Sequence, residues 1–482
     1  MLQRHIKIVA TVGPACASPS GLMGLMEAGA DVFRLNFSHG ELAEKQVIIS
    51  QIRELSRQRQ RAVAILGDLQ GPKIRVGRLK DGVMELFTGE EVVLTTEDLV
   101  GGDNLIPTPY TALPGDVVVN DRILLDDGLL ELQVEKVEPP RVSCRVVVGG
   151  LLKERKGINL PGVKVSAPAL TEKDKEDLQF CIEQQVDYVA LSFVRTAADV
   201  LELKDLLPQD GDLQVIAKIE KPEAVENFTE ILEVSDGIMV ARGDLGVEVN
   251  PEKVPLIQKQ IIRQCNQAGK PVITATQMLE SMVNNPRPTR AETSDVANAI
   301  LDGSDAIMLS AETASGKYPE EAVALMARVA ADVERDPLLK EKIFHPLPDV
   351  GGWRSLPEAI SQAACRVAEN LHAAGILAFT QTGKTATLVT KYRPSVPIYA
   401  VTPSQSVRRR LALYAGVRSL RVDIEGDTEA QIKAVEQAVL STGLLQRGEV
   451  VVITMGSPVS APGTTNLLKV HRLGTGEFYE VH

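Results

Sequence analysis

The stretch LQVIAKIEKPEAVENFTEILEVSDGIMVARGD (213–244) decides the fold. It opens on a short apolar run rich in β-branched residues, passes through a segment with helical spacing, and returns to a second apolar run. That is the strand–helix–strand unit of a parallel sheet. The same alternation extends outward to DYVALSFV (187–194), PVITATQM (271–278) and DAIMLSAE (305–312). It also occupies the first 71 residues, with IKIVATVG (6–13), DVFRLNFSHG (31–40) and AVAILGDLQG (62–71) separated by helical segments at 22–28 and 41–59. Three units before residue 72 and five after residue 167 make eight, the number that closes a (β/α)8 TIM barrel.

Between the two halves the pattern changes. Residues 72–167 carry short alternating segments punctuated by Gly and Pro, such as VMELFTGEEVVLTT (83–96) and DVVVNDRILLDDGLLELQVEKV (116–137), which read as an inserted antiparallel β-domain of barrel type. The barrel resumes over 168–340, with a capping box from Thr171 to Asp174 opening its next helix. The Pro- and Gly-rich run ERDPLLKEKIFHPLPDVGGW (334–353) marks a boundary, and 341–482 reads as a C-terminal α/β domain.

Composition narrows the function classes. The chain has 482 residues, is 44% hydrophobic and 24% charged, and carries a net charge of −12, so it repels nucleic acid and anionic membrane surfaces as a whole. Any anionic ligand must then meet a locally basic pocket. Cys16, Cys144, Cys181, Cys265 and Cys365 are scattered and odd in number, and read as reduced, buried fillers. No apolar run reaches the ~18 residues of a membrane span. The expected location is the cytoplasm.

In (β/α)8 barrels the chemistry collects at the carboxyl ends of the strands. On the second strand Arg34, Asn36 and Ser38 are spaced by two and share a face. The third ends at Asp68 and the fourth at Ser192, Phe193 and Arg195. The fifth ends in Lys218 and Glu220, again two apart, and the sixth in Arg242, Gly243 and Asp244. The seventh and eighth end in Thr276 and Gln277, and in Ser310 and Glu312. Two carboxylates on adjacent strands, Glu220 and Asp244, suit Mg²⁺ or Mn²⁺, which complete their shells with water and substrate oxygens. Of six histidines only His39 lies at a strand end, and no Ser-His-Asp set occurs. Lysine, arginine and a divalent ion around an anion favour phosphoryl transfer.

The segments KIVATVGPA (7–15), FRLNFSHG (33–40), DLQGPKIRVG (68–77), KGINLPG (156–162), IAKIEKPEAVENF (216–228), VARGDLGVE (240–248), ATQMLESM (275–282) and RPTRAETSDVANAILDGSDAIMLSAETASGKYP (287–319) together resemble pyruvate kinase. The resemblance implies transfer of the phosphoryl group of phosphoenolpyruvate to ADP, giving ATP and pyruvate, the last step of glycolysis. By it, Arg34 and Lys218 hold the transferring group, and Lys218 neutralises charge in the transition state. Glu220 and Asp244 bind the divalent ion. Gly243 and Asp244 offer backbone N–H groups to the substrate, and Thr276 sits at its carboxylate and near the path of enolate protonation. Arg75 and Lys156 meet the nucleotide phosphates, with Pro14 and His39 as further nucleotide contacts. The insertion resembles the family's mobile lid, and a homotetramer is implied.

Asn36, Ser38 and Asp68 match the family's monovalent-cation ligands. The chain departs from the potassium-dependent pattern at Lys73, accompanied by Leu69, Gln70 and Val76, and so resembles the potassium-independent members. The Lys73 ammonium is expected to stand in for K⁺. In the C-terminal domain TQTGKT (380–385) follows a strand, but Ala378 occupies the place where a P-loop needs Gly. Thr380, Thr382, Gly383, Lys384 and Thr385 instead suit a sugar-phosphate or AMP effector, with the segment from Met455 to Asn466 beside them by the same resemblance. An ordinary turn is the alternative reading of this loop. For the whole chain, the alternatives are a metal-dependent lyase or carbon–carbon bond mutase acting on a similar enolate, and a sugar-phosphate sensor without catalysis.

Overall fold

A computed structural model describes residues 4–209, 211–336, 355–423, 427–456 and 465–475. The expected boundary at 340/341 and residues 457–464 of the second effector segment lie outside them.

The chain begins with β1 (Lys7–Val12), β2 (Val32–Asn36) and β3 (Ala64–Asp68). The insertion follows with β4 (Val83–Leu86), β5 (Glu91–Thr95), β6 (Leu105–Pro107), β7 (Arg122–Leu125), β8 (Leu130–Glu138), β9 (Arg141–Val148), β10 (Gly150–Lys153) and β11 (Ile158–Asn159). Then come β12 (Tyr188–Leu191), β13 (Gln214–Ile219), β14 (Gly237–Ala241), β15 (Val272–Ala275) and β16 (Ala306–Leu309). The first three and the last five close a parallel barrel in the order β1-β16-β15-β14-β13-β12-β3-β2.

Both faces of these strands are buried, which is why they read as continuous apolar runs. Val9, Val32, Ala64, Leu66, Tyr188, Ala190, Ile216 and Met239 fill the interior, while alternate residues such as Ile8, Phe33 and Leu191 pack outward against the helices. Eight buried strands give the rigid frame on which a site can be held.

The inserted strands form a six-stranded sheet, β11-β7-β8-β9-β5-β6, and a two-stranded sheet, β10-β4, around one core. The expectation of antiparallel pairing needs one correction. β6 runs parallel to β5, with Val93 opposite Leu105, because the loop between them carries the chain back to the start of β5. In the C-terminal unit β17 (Gly375–Phe379), β18 (Ile398–Thr402), β19 (Val417–Arg421), β20 (Val450–Met455) and β21 (Leu467–Arg472) form a sheet in the order β19-β18-β17-β20-β21, with only β21 antiparallel. All five cysteines are buried and free. Among the described residues no helix is long and apolar enough to cross a membrane.

The base of the barrel carries a pattern not read from the sequence. Asp31, Asp187, Asp236 and Asp305 each stand one residue before an even-numbered strand of the barrel and accept a backbone N–H from the strand before, at Ile8, Ile65, Val215 and Val272 respectively. Two of them also receive cations from the C-terminal unit, Asp187 from Arg409 and Asp305 from Arg393. Ala412 and Leu413 of that unit close the bottom of the barrel's apolar interior.

Lys7 is buried at this base with its Nζ on the Val417 carbonyl at 2.6 Å, and burial, only partly offset by Asp31, pulls its pKa down to about 8. Between pH 8 and the unfolded value of 10.5 the folded chain therefore holds fewer protons at this site than the unfolded chain, and folding gains stability as pH rises. Below pH 8 the native lysine is charged and bears its full desolvation cost. Lys7→Met is expected to raise the melting temperature at pH 7, and that advantage should shrink between pH 8 and pH 10. Melting curves of both chains across this range check it.

Candidate active site

Four adjacent strands, β2, β3, β12 and β13, bring one charged cluster together at the carboxyl end of the barrel. Lys218 Nζ lies 2.9 Å from Glu220 Oε1, 3.2 Å from Asp68 Oδ1 and 2.8 Å from Ser192 Oγ. Arg34 Nε reaches Asp68 Oδ2 at 2.6 Å, and its Nη1 lies 3.1 Å from Thr11 Oγ1. Burial alone would favour neutral Lys218, but Asp68 and Glu220 hold the ammonium above the ordinary lysine range. Burial likewise works against the Asp68 carboxylate, yet Lys218 and Arg34 bring its pKa below the usual value. Glu220 is shifted the other way, upward, by burial and by the Asp244 charge, against the pull of Lys218.

The Asp244 charge is near enough to act on Glu220, so two hard oxygen donors face one site. Mg²⁺ and Mn²⁺ commonly take one or two protein carboxylates and fill the remaining positions with water and substrate oxygens, so the donor set fits such an ion. Among the described residues there is no cluster of three or more His, Cys, Asp and Glu side chains, the usual basis of an all-protein metal cage.

Opposite this cluster Thr276 and Gln277 take left-handed backbone angles, φ 68° and 55°. For a β-branched residue that conformation is strained, and such strain concentrates at functional sites. It directs the Thr276 hydroxyl at the Gly243 backbone N–H, 2.7 Å away. A Cβ on Gly243 would stand 3.2 Å from that hydroxyl, so the close approach favours glycine.

Three expectations about strand ends need correction. Arg242, Gly243 and Asp244 form the first turn of a helix, Arg242–Glu248, because β14 already ends at Ala241. The Arg242 guanidinium turns away to the Thr276 carbonyl and Asp295, where it braces the strained segment. Ser38 lies past the end of β2 in a turn, so the two-residue period does not govern it; its N–H caps Asn36 Oδ1 at 3.0 Å. Glu312 is fully buried and accepts the backbone N–H groups of Leu279 and Ser310, a structural role that keeps it from the mouth. Arg195 bonds the carbonyls of Val165 and Ala167, tying the chain as it re-enters the barrel.

The residues expected at the nucleotide are not in the Lys218 cluster. Lys156 pairs with Asp126 at 2.7 Å within the insertion, and the Arg75 guanidinium bonds the Arg155 carbonyl at 3.2 Å. Pro14 and His39 are exposed. Lys73 lies beside Gly157 and lines, with Asn159, Arg195 and Lys221, the crevice between insertion and barrel. The cations on Asp68 are Arg34 and Lys218. Sequence reasoning missed one contact in this crevice. Glu248 accepts from Asn159 at 2.8 Å and from Lys221 at 2.6 Å, linking the insertion to the barrel. No local signal announces it, since the partners lie on separate units.

In the C-terminal unit Thr380 Oγ1 accepts the Gly383 N–H at 2.8 Å, and Gly383, at φ 96°, starts the helix Lys384–Lys391. Thr382 accepts from the Lys384 N–H at 3.4 Å, and Thr385 meets Thr465 at 2.9 Å. Lys384 and Thr382 are exposed while Thr380 and Thr385 are buried, so residues 380–385 present one cation and one hydroxyl beside a helix start.

A family model for the pyruvate kinase barrel domain matches residues 3–323, and one for the pyruvate kinase alpha/beta domain matches residues 358–471. The chain is 48% identical over 474 residues to a pyruvate kinase of Geobacillus stearothermophilus, spanning 98% of this chain and 80% of that protein. It is 46% identical to a pyruvate kinase of Staphylococcus aureus over 98% of this chain and 81% of the relative. Among solved structures, a pyruvate kinase from Cryptosporidium parvum superposes with a TM-score of 0.89 at 38% identity, covering 98% of this chain and 96% of the other.

Proposed function

The chain belongs to the pyruvate kinase family of phosphotransferases, and on that premise we propose how its own residues carry the transfer of the phosphoryl group of phosphoenolpyruvate to ADP. The observation that supports the assignment is Lys218, largely buried, ion-paired with Asp68 and Glu220, and sharing Asp68 with Arg34 at the barrel mouth. Arg34 and Lys218 hold the phosphoryl group, and the Lys218 charge counts most when negative charge spreads over its oxygens in the transition state. Glu220 and Asp244 hold Mg²⁺ or Mn²⁺, which when bound supplies Lewis-acid neutralisation of substrate oxygens. Gly243, Asp244 and Thr276 orient the carboxylate of the substrate. Thr276 also lies near the carbon of the enolate that takes up a proton. Arg75 and Lys156, carried by the insertion, meet the nucleotide phosphates together with Pro14 and His39 as the lid closes and excludes water.

The test is formation of pyruvate from phosphoenolpyruvate and ADP with Mg²⁺, coupled to lactate dehydrogenase. Absence of ADP-dependent pyruvate would refute the reading and favour a lyase, a mutase or a sensor.

The same proposal includes activity without K⁺. Its support is Lys73, together with an Asp68 carboxylate already compensated by two protein cations. In tetramethylammonium buffer the chain is expected to turn over at close to its full rate, and stimulation of about a hundredfold on adding KCl would contradict it. We further propose a cytoplasmic homotetramer whose loop at Thr380, Thr382, Gly383, Lys384 and Thr385 takes a sugar-phosphate or AMP. Light scattering reads the assembly. A shift of the phosphoenolpyruvate saturation curve with such effectors reads the loop, and a flat response counts against it.

A further inference from the structure

We propose that Ser192 is a positioning residue for the reaction, one that aims the Lys218 ammonium at the transferring phosphoryl group without neutralising it. This rests on the pyruvate kinase reading above. An ammonium has three N–H donors and no acceptor. Three acceptors surround this one: Glu220 Oε1 at 2.9 Å, Asp68 Oδ1 at 3.2 Å and Ser192 Oγ at 2.8 Å. The two carboxylates have other commitments. Asp68 is shared with Arg34, and Glu220 belongs to the pair assigned to the divalent ion.

Ser192 is the neutral member, and its own bonding is settled. Its hydroxyl proton goes to the Leu69 carbonyl at 2.7 Å, since Asp68 Oδ1 at 3.5 Å is too far to compete, and a lone pair is left facing Lys218. The side chain is 2% exposed and close-packed, for a Cβ on Gly71 would come within 2.9 Å of the Ser192 Cβ. If Glu220 Oε1 were to take a divalent ion, the Lys218 N–H now bonded to it would be released. The fixed hydroxyl then decides where that N–H points, and it leaves the full positive charge for the phosphoryl oxygens.

The test compares Ser192→Ala and Ser192→Cys with the wild-type chain in the coupled assay, with Mn²⁺ affinity read by electron paramagnetic resonance. Ser192→Ala is expected to lower kcat by about 10- to 100-fold, with the KM for phosphoenolpyruvate and the Mn²⁺ Kd unchanged to within about threefold. Ser192→Cys keeps the branching of serine with a slightly larger atom that is a poor acceptor, so it should lose about tenfold in kcat. A Cys variant with wild-type kcat would mean that Ser192 only fills space, and a loss confined to KM would mean that it serves ground-state binding; either overturns the proposal. If the Ala variant fails to fold, the Cys variant still gives the reading. Failure of the wild-type chain to make pyruvate would instead strike the functional assignment itself.

Discussion

Lys218→Met is expected to lower kcat by about a thousandfold or more, because a preorganised charge in a water-poor site acts mainly on the transition state. Substrate and metal binding should survive. The thioether fills much of the lysine's space, and Glu220 Oε1, which spends one bond on Lys218 in the free protein, becomes available to the divalent ion. The Mn²⁺ Kd is therefore expected to stay level or fall, while turnover collapses. The variant should also lose stability, since removing one partner from a buried ionic cluster costs about 3–5 kcal/mol, with Asp68 retaining only Arg34 and Glu220 retaining the Phe193 N–H. Steady-state kinetics, a Mn²⁺ titration and a melting curve separate the three effects. Turnover within about tenfold of wild type would remove Lys218 from the role given to it.

The largest loss of stability from a single substitution away from the site is expected at Asp187→Asn. Asp187 is 2% exposed and joins three parts of the molecule at the barrel base. It takes the Ile65 N–H at 2.8 Å, Arg53 at 2.9 Å and, from the C-terminal unit, Arg409 at 2.7 Å. Asparagine keeps the shape but removes the charge, leaving two largely buried guanidinium groups without their counter-ion. A cost of about 3–5 kcal/mol follows, or about 3–5 °C in the melting temperature of a chain this long. The matching change Asp236→Asn sets the scale. Asp236 pairs with Lys204 where both side chains are about a quarter exposed, 26% and 27%, so its loss is expected to stay near 1 kcal/mol. Equal effects of the two substitutions would show that burial of the pair does not set the cost.

The eight strands were legible because each obeys a local rule. A run buried on both faces is mostly apolar, and YVAL (188–191), GIMVA (237–241) and AIML (306–309) show that without reference to their neighbours. Lys218 and Glu220 were legible as a pair because the two-residue period carries one position past the strand end at Ile219, and the two side chains meet at 2.9 Å. The same rule failed at Ser38, where the strand had already ended, and the strand end itself was placed too late at Arg242 to Asp244. A period says nothing about where hydrogen bonding stops, and end positions depend on the neighbouring strand.

Local chemistry, set by side-chain type and spacing, was thus enough to establish an eightfold barrel with its functional groups at one rim, an inserted β unit and an α/β unit after it. Pairing was another matter. Arg34 meets Asp68 across 34 residues, Ser192 hands its proton to Leu69 across 123, and Arg409 reaches Asp187 across 222. Closing the barrel makes neighbours of residues that the chain keeps far apart. Which cation neutralises which carboxylate therefore depended on the register of adjacent strands, as did the finding that Ser192 fills the last bond of Lys218.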